Sequence, residues 1–262
     1  MAIIKEKKII KKVPEQGAIA NISLTRRQLE NFTKITAILE LELRMQISKD
    51  GISATLVDGS HVAMMIWEWS ANSFPSFEVE QEGSIALDNL NDILTAVKTA
   101  GMSDIIEIRI EDMLIEIKTK YLTAKPQTID WRTMNIPRTP DFSNIVGCHL
   151  NGVSIAWLKE ALNGMRKKAN TGNLSADSET GQINLWVRDW NYMTHEVEIN
   201  NEDEQRIIVQ SEYSTKYLNA LFMKLKSAKA ETCDIWFGEN MPISIKTKLP
   251  DGAKLEYILA PR

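Results

Sequence analysis

The sequence predicts an α+β protein built from two similar halves, each with helices and strands in the same order. The first observation is an internal repeat: residues 115–120 read IEIKTK and residues 243–248 read ISIKTK, an offset of 128 positions in a chain of 262. Apolar positions before these segments recur at the same offset. They are Leu90, Leu94 and Val97 in the first half and Leu218, Phe222 and Leu225 in the second. Two copies are too few for a solenoid and predict a pseudo-symmetric object that closes on itself.

The first half alternates strands and helices in an order set by its hydrophobic periodicity. A short strand over 18–24 precedes a helix that runs from about Thr25, a suitable N-cap, to Leu39. The apolar stripe of that helix is Leu29, Phe32, Ile35, Thr36 and Leu39. We then expect strands over 41–48, 51–57 and 62–69, a helix over 87–100 ended by Gly101, and strands over 104–111 and 113–120.

The second half repeats this order of elements. We expect a strand over 143–150, a helix over 153–168, strands over 172–178, 182–189 and 193–199, a helix over 214–226, and strands over 232–237, 242–248 and 254–259. An Asp251-Gly252 turn joins the last two strands. The length suits two domains of about 120–130 residues.

A segment rich in proline separates the two halves. Residues 125–141 contain three prolines and no clear period, which predicts an irregular connecting linker. The linker also has apolar residues, so we expect it to lie against the body, and we expect its Trp131 to touch partners. The domains predicted are a basic N-terminal arm over 1–17, domain 1 over 18–124, the linker, and domain 2 over 142–262.

Composition indicates an ordinary globular protein rather than one coated in basic surface. Hydrophobic residues make up 44% of the chain and charged residues 25%, and the net charge is −4. No apolar run reaches the roughly 18–20 residues of a membrane helix, and the lysine-rich start does not resemble a secretory signal. The two cysteines, Cys148 and Cys233, fall in apolar strand-like runs, so we expect buried free thiols and a reducing, intracellular location.

Three separated motifs resemble those of the PCNA-type sliding clamps. They are DGISATLVDGSHVAM over 50–64, AVKTAGMSDIIEI over 96–108 and MPISIKTKLPDGAKLEYILAPR over 241–262. The resemblance covers about residues 18–262 in order. It implies the DNA-clamp fold, in which three subunits of two domains each form a ring with helices inside and β-sheets outside. It also implies a homotrimer that encircles duplex DNA without reading its sequence and holds DNA polymerase, the clamp loader and other PIP-box proteins.

The helix faces opposite the core stripes provide a separate reason to expect contact with DNA. At about 100° per residue, three of the four helices have a net basic outer face, and lysine and arginine bind phosphates without reading bases. The candidate DNA-binding residues are Arg26, Arg27, Lys34, Lys98, Lys159, Arg166, Lys167, Lys216 and Lys224. The second helix departs from the family pattern, because it presents Asp88, Asp92, Thr95 and Thr99 with only Lys98 on its flank.

Two further surfaces follow from the resemblance. The groove for the partner peptide matches Val57, His61, Met134, Ile136, Pro137, Pro242, Ile258, Ala260 and Pro261. Subunits of the family pair through strand edges, and here Lys118 and Lys120 on one strand would face Glu196 and Glu198 on another. Unlike charges on facing edges specify register, although surface ion pairs contribute only about 0–1 kcal/mol each.

No enzymatic chemistry is predicted from the sequence. The three histidines are scattered, Asp88 and Asp92 lack a third metal ligand, and the acidic run 202–204 is typical of a solvated loop. No glycine-rich phosphate loop and no nucleophile–base motif is present. We therefore expect no catalytic residue, no metal and no cofactor. Two alternatives to the homotrimeric clamp stay open: a subunit of a heterotrimeric or checkpoint-type clamp, and a clamp-fold regulator that disables another clamp.

Overall fold

The computed structural model describes residues 16–142, 147–177, 179–180, 182–194, 198–200 and 208–262, with the backbone alone for 193–194 and 198–200. The basic arm predicted for 1–17 thus lies outside the described residues except for its last two. Gln16 and Gly17 lie on the body, because the carbonyl oxygen of Gln16 accepts a hydrogen bond from the amide of Ser84 at 2.7 Å. The end of the predicted arm therefore contacts the strand Gly83–Leu87 of the first half.

The first half contains two helices and a series of antiparallel strands. Its elements are β1 Ala18–Thr25, α1 Arg26–Thr36, β2 Leu43–Ser48, β3 Gly51–Val57, β4 Ala63–Ser70, β5 Ser76–Gln81, β6 Gly83–Leu87, α2 Leu90–Val97, β7 Ile105–Asp112, β8 Leu114–Lys118 and β9 Thr123–Ala124. Thr25 caps α1 as predicted: its hydroxyl accepts from the amide of Gln28, and the Gln28 side chain accepts from the Thr25 amide.

The second half follows the same order, as the internal repeat predicts. Its elements are β10 Cys148–Ser154, α3 Ile155–Arg166, β11 Thr171–Asp177, β12 Gln182–Val187, β13 Trp190–Thr194, β14 Glu198–Asn200, β15 Ile208–Ser214, α4 Thr215–Ser227, β16 Thr232–Phe237, β17 Ile243–Lys248 and β18 Ala253–Leu259. A tight turn at Asp251 and Gly252 joins the last two strands, as expected.

Some predicted boundaries were wrong. Helix α2 begins at Leu90, not at 87. Leu87 belongs to strand β6, where it pairs with Leu43, although its spacing from Leu90 also fits the period of a helix. Strands β5, β6, β9 and β15 were missed. The strand expected over 193–199 is instead two strands in different sheets, since β13 pairs with β12 while β14 pairs with β10.

Within the described ranges the strands form three sheets, and one of these sheets spans both halves. Their orders are β5-β1-β7-β8-β9, β14-β10-β16-β17-β18-β4-β3-β2-β6 and β13-β12-β11-β15. In the nine-stranded sheet β18 runs antiparallel to β4, with Leu255 opposite Trp67. The two halves are therefore joined by backbone pairing as well as by the linker.

The four helices that the structure describes form one layer in the order α2–α1–α4–α3, because α1 contacts both α2 and α4, and α4 contacts α3. Their apolar stripes pack on the sheets. Under α1, Phe32 lies with its ring centroid 5.2 Å from Trp67 and 5.8 Å from Trp69, and all three side chains are buried. Cys148 and Cys233 are free and buried, as expected.

Candidate nucleic-acid interface and partner-binding surfaces

Helix α1 presents fewer free cations than its sequence suggests. Arg26 is largely buried, and its guanidinium donates to the carbonyl oxygens of Lys98 and Ala100 beyond α2 and pairs with Glu30 at 3.2 Å. Lys34 is exposed but also pairs with Glu30, at 3.4 Å. Arg26 thus fastens α1 to the end of α2, and Arg27 is the exposed cation of this helix without such a pairing within the described residues.

The outer faces of α3 and α4 bear a denser group of cations. Lys159 pairs with Glu160 at 2.8 Å. The pKa of Glu160 is lowered by its hydrogen bond to Lys159, by the charge of Lys159, and by the charges of Lys167 on α3 and Lys226 on α4. Cations from both helices therefore act on one surface, and Glu160 is the acid among them.

The nine predicted DNA-binding residues all lie on the helix layer or at its helix ends. Seven of them are exposed: Arg27, Lys34, Lys98, Arg166, Lys167, Lys216 and Lys224. Lys159 is half-buried, and the guanidinium of Arg26 is bound to the end of α2 and to Glu30. Lys168 was not predicted; its ammonium lies 4.4 Å from the ring centroid of Trp190 on β13. No periodic signal marks Lys168, because it follows the end of the helix.

Helix α2 is short and lacks a basic face. Asp92, Thr95, Lys98 and Thr99 are exposed, as the sequence indicated, and Asp88 is half-buried before the helix begins. Asn89 caps the helix by accepting from the amide of Asn91 at 2.9 Å. The segment therefore presents charges of both signs to solvent.

The linker is anchored by one arginine from the first half. The guanidinium of Arg44 on β2 donates to the carbonyl oxygens of Trp131, at 3.1 Å, and Met134, at 2.6 Å. It also lies 5.0 Å from the centroid of the Trp131 ring, and Arg132 lies 4.7 Å from that ring. Trp131 is 3% exposed, so the expectation that it contacts partners was wrong. It holds the linker on the body instead.

Beyond this anchor the linker presents apolar surface. Ile136 is 43% exposed, while Met134 and Pro137 are half-buried. Among the other predicted groove residues, Val57, Pro242, Ala260 and Pro261 are half-buried and His61 is exposed. Ile258 is 4% exposed within β18, opposite Met64 and Ser244, so it presents almost no side chain at the surface and belongs to the core.

A hydrogen-bonded turn brings two parts of the predicted groove together. The Asp58 carboxylate accepts from the amides of Ser60, Val62 and Ala63, which holds His61 at a positive φ of 55°. The amide of Ala260 donates to the carbonyl oxygen of Val62 at 2.8 Å. The turn with Val57 and His61 is thereby joined to the tail with Ala260 and Pro261.

The edge of the first half that was predicted to contact a neighbouring subunit differs in detail from the prediction. Strand β8 ends at Lys118, and β9 pairs with it at 117 and 118, so β9 and not β8 is the outer strand. Lys118 pairs with Glu107 on β7 at 3.7 Å, and the ammonium of Lys120 lies 5.1 Å from the ring centroid of Tyr121. Exposed apolar side chains gather around this edge: Leu114 at 60%, Tyr121 at 69% and Leu122 at 39%.

The opposing edge is only partly described. Glu196 and the acidic run 202–204 lie outside the described residues, and Glu198 is placed by its backbone alone, opposite Asn151 in β10. Strand β13 is the outer strand of the four-stranded sheet, and its Trp190 is 46% exposed. Within the part of the chain that the structure describes, no group of three metal-ligating side chains occurs. Nor does a helix there have the length and apolarity to cross a membrane.

Comparisons with known proteins agree with this architecture. The family model described as proliferating cell nuclear antigen, N-terminal domain, matches residues 18–136. A DNA polymerase sliding clamp of Archaeoglobus fulgidus is 25% identical over 248 residues, which cover 92% of this chain and 98% of that protein. One of Methanocella arvoryzae is 26% identical over 234 residues, covering 84% of this chain and 89% of that protein.

Solved structures share the fold over nearly the whole chain. A. fulgidus PCNA, solved with the C-terminal region of FEN-1 bound, superposes with a TM-score of 0.80 at 24% identity and covers 93% of this chain and 98% of that one. A PCNA2–PCNA3 complex of Sulfolobus tokodaii gives a TM-score of 0.74 at 16% identity, covering 92% of this chain and 99% of that one. The predicted α+β clamp fold is confirmed, residues 18–136 match the PCNA N-terminal domain family, and the chain as a whole is similar to DNA polymerase sliding clamps.

Proposed function

We propose that this protein is a DNA sliding clamp, which encircles duplex DNA as a trimeric ring and tethers DNA polymerase to it as a processivity factor. The observation that carries the proposal is the layer of four helices, whose exposed side bears most of the predicted cations although the protein has a net charge of −4. A local basic face on an acidic protein is suited to a polyanionic ligand that the ring surrounds without binding it tightly.

The cations of this layer have the properties that sliding requires. Lysine and arginine side chains attract phosphate oxygens wherever these lie along the backbone, so the contacts are independent of sequence. Arg166, Lys167 and Lys224 are exposed and have long, flexible side chains. Each contributes a weak attraction to the phosphates that salt screens. Retention on DNA then comes from closure of the ring rather than from affinity.

The partner surface is the groove between the linker and the C-terminal tail. We assign it to PIP-box peptides of DNA polymerase, the clamp loader and other replication and repair factors. Exposed Ile136 supplies an apolar wall, and the tail joined to Val62 supplies a second. This is a scaffold function without catalysis, and it requires no cofactor or metal ion.

The proposed organisation follows the sheets. Domain 1 covers 18–124, the connecting linker 125–141, and domain 2 142–262, with β18 of domain 2 completing a sheet of domain 1. In a ring, the edge at β9 of one subunit meets the edge at β13 of the next. The pairing of Lys118 and Lys120 with Glu196 and Glu198 remains part of the proposal, but Glu198 lies on β14, in a different sheet from β13, so it does not set the register between β9 and β13. The protein then acts inside the cell at the DNA, in the nucleus if its source is a eukaryote.

The decisive experiment compares circular with linear DNA after loading by an ATP-driven clamp loader. The ring should remain on circular DNA in salt that removes it from linear DNA, and cutting the circle should release it. The processivity of a cognate polymerase should rise in parallel. Release from intact circles as fast as from linear DNA would contradict the encircling function and favour the regulator that disables another clamp.

One observation favours a second candidate, a subunit of a heteromeric clamp. Strand β9 has two residues, so this edge offers few backbone hydrogen bonds for pairing with an identical copy. Light scattering of the purified protein decides between the two. A mass near three times 29.7 kDa supports the homotrimer, whereas a monomer at all concentrations supports the heteromeric ring.

A further inference from the structure

The cations of the helix layer are distributed unevenly between its two halves. We propose that duplex DNA is held by the second half of each subunit, through α3 and α4, while α1 and α2 form a nearly neutral wall that the duplex does not contact closely. This inference rests on the proposed function and names the part of the surface that performs it.

On α1, three of the four charged side chains are already paired within the protein. Glu30, which is buried, forms ion pairs with both Arg26 and Lys34. Arg26 is further occupied by two backbone carbonyl oxygens at the end of α2. Over 88–99 the chain has two aspartates and one lysine, so α2 adds no positive charge to the face.

In the second half the balance is reversed. Helix α4 has three lysines and no acid, and residues 155–168 have five charged side chains of which Glu160 is the one acid. Lys167 on α3 and Lys226 on α4 both act on Glu160 electrostatically, so the two helices present their cations on a shared surface. The cations of this surface that are exposed are Arg166, Lys167, Lys168, Lys216, Lys224 and Lys226.

The order of the helices turns this difference into a gradient across the layer. In the spatial order α2–α1–α4–α3, helix α2, which adds no positive charge, lies at one end of the layer, and the basic pair α4 and α3 lies at the other. Packed helix axes lie about 8–10 Å apart, which is close to the Debye length of about 8–10 Å at physiological salt. A phosphate beside α3 and α4 is therefore screened from α2, so in a ring of three subunits the phosphates should lie closest to the protein at three places, beside α3 and α4 of each subunit.

The test compares two variants that each remove three exposed positive charges. The second-half variant is Lys167→Gln, Lys224→Gln, Lys226→Gln, and the first-half variant is Arg27→Gln, Lys34→Gln, Lys98→Gln. Binding to a short fluorescent duplex is measured by anisotropy across a series of salt concentrations. The slope of log affinity against log salt reports how many phosphates the protein neutralises, and its magnitude falls by about 0.9 for each phosphate that a variant leaves unneutralised. Circular dichroism and light scattering check that folding and assembly are equal.

We expect the slope of the second-half variant to be smaller than that of the wild type by about two units or more, and the first-half variant to retain the wild-type slope within about half a unit. Equal reductions in the two variants, or a larger one in the first-half variant, would overturn the inference while leaving the clamp function intact. A wild type with no salt-sensitive binding to duplex would instead count against the proposed function itself, so the two failures are distinguishable.

Discussion

The hydroxyl of Tyr217 on α4 donates a hydrogen bond of 2.7 Å to the carboxylate of Asp58 in the turn after β3, and this contact ties the second half of the chain to the first. Asp58 is buried, which acts to raise its pKa, but the bonds from Tyr217 and from the amides of Ala63, Val62 and Ser60 prevail, so its pKa is lowered. The pKa of Tyr217 is raised by the same hydrogen bond.

Tyr217→Phe should therefore lower the free energy of unfolding by about 1.5–3 kcal/mol at pH 7, the usual worth of a hydrogen bond to a charged group. A carboxylate with a lowered folded-state pKa contributes stability that is present above its unfolded pKa and is lost as pH falls through the folded one. The difference between wild type and variant should thus shrink in acid. Urea unfolding between pH 3 and pH 7 measures it, with Tyr121→Phe, at an exposed tyrosine, as the control. A deficit that is the same at both ends of the range would contradict this account.

A second prediction concerns the arginine that anchors the linker. Arg44→Met should weaken binding of a PIP-box peptide about tenfold or more, although Arg44 is not a predicted groove residue, because Trp131 and Met134 lose the donor that fixes their backbone. Arg132→Met is the matched control: Arg132 also stacks on Trp131 but is exposed and does not bond those carbonyl oxygens. Calorimetry should find the control close to wild type. Similar effects in both variants would mean that stacking, not the hydrogen bonds, holds the linker.

A third prediction tests the groove itself. A peptide with a glutamine, an aliphatic residue and paired aromatics should bind with about −7 to −9 kcal/mol, which is in the micromolar range. Ile136→Asp, or deletion of Ala260–Arg262, should abolish binding without impairing assembly, since Ile136 is 43% exposed and contributes little to the core. Thr139→Asp places the same charge at an exposed linker position and serves as the control. If calorimetry finds the affinity unchanged in Ile136→Asp and in the deletion, the groove lies elsewhere.

A fourth prediction separates the charged and apolar parts of the subunit edge. Lys118→Glu with Lys120→Glu should weaken assembly mainly at low salt, because exposed ion pairs are screened. Tyr121→Ser with Leu122→Ser should weaken it at all salt concentrations, because exposed apolar area is what such an edge buries. Light scattering over a dilution series at two salt concentrations distinguishes them. A charge-reversed pair that assembles like wild type at low salt would remove Lys118 and Lys120 from the interface.

The sequence predicted the architecture well because the signals were local and repeated. The Thr25 cap, the stripe of α1 and the tight turn at Asp251 each follow from a few neighbouring residues, and the structure contains all three. Helix α2 was drawn too long because the period of Leu87, Leu90 and Leu94 fits a helix, whereas strand pairing with Leu43 decides where Leu87 lies.

The sites were harder to predict because they depend on pairing between distant segments. Nothing near Arg26 in the chain indicates that its guanidinium reaches carbonyl oxygens beyond α2, and nothing near Trp131 indicates that Arg44 covers its ring. The sequence pattern suggests that both side chains are free to contact a partner, but in the fold each is bound to another part of the protein. Periodicity identifies which face a side chain is on, but not whether that side chain is already bound to another part of the protein.

The pairing of β18 with β4 has a consequence for how the chain is made. Strand β4 ends at Ser70 and its partner begins at Ala253, so on the ribosome the first domain emerges with one sheet edge unpaired for most of synthesis. An uncovered edge is a site where strands of other chains can add, and such long-range pairing slows folding. The nascent first domain should therefore depend on chaperones, and truncation before Ala253 should yield aggregates rather than a smaller clamp.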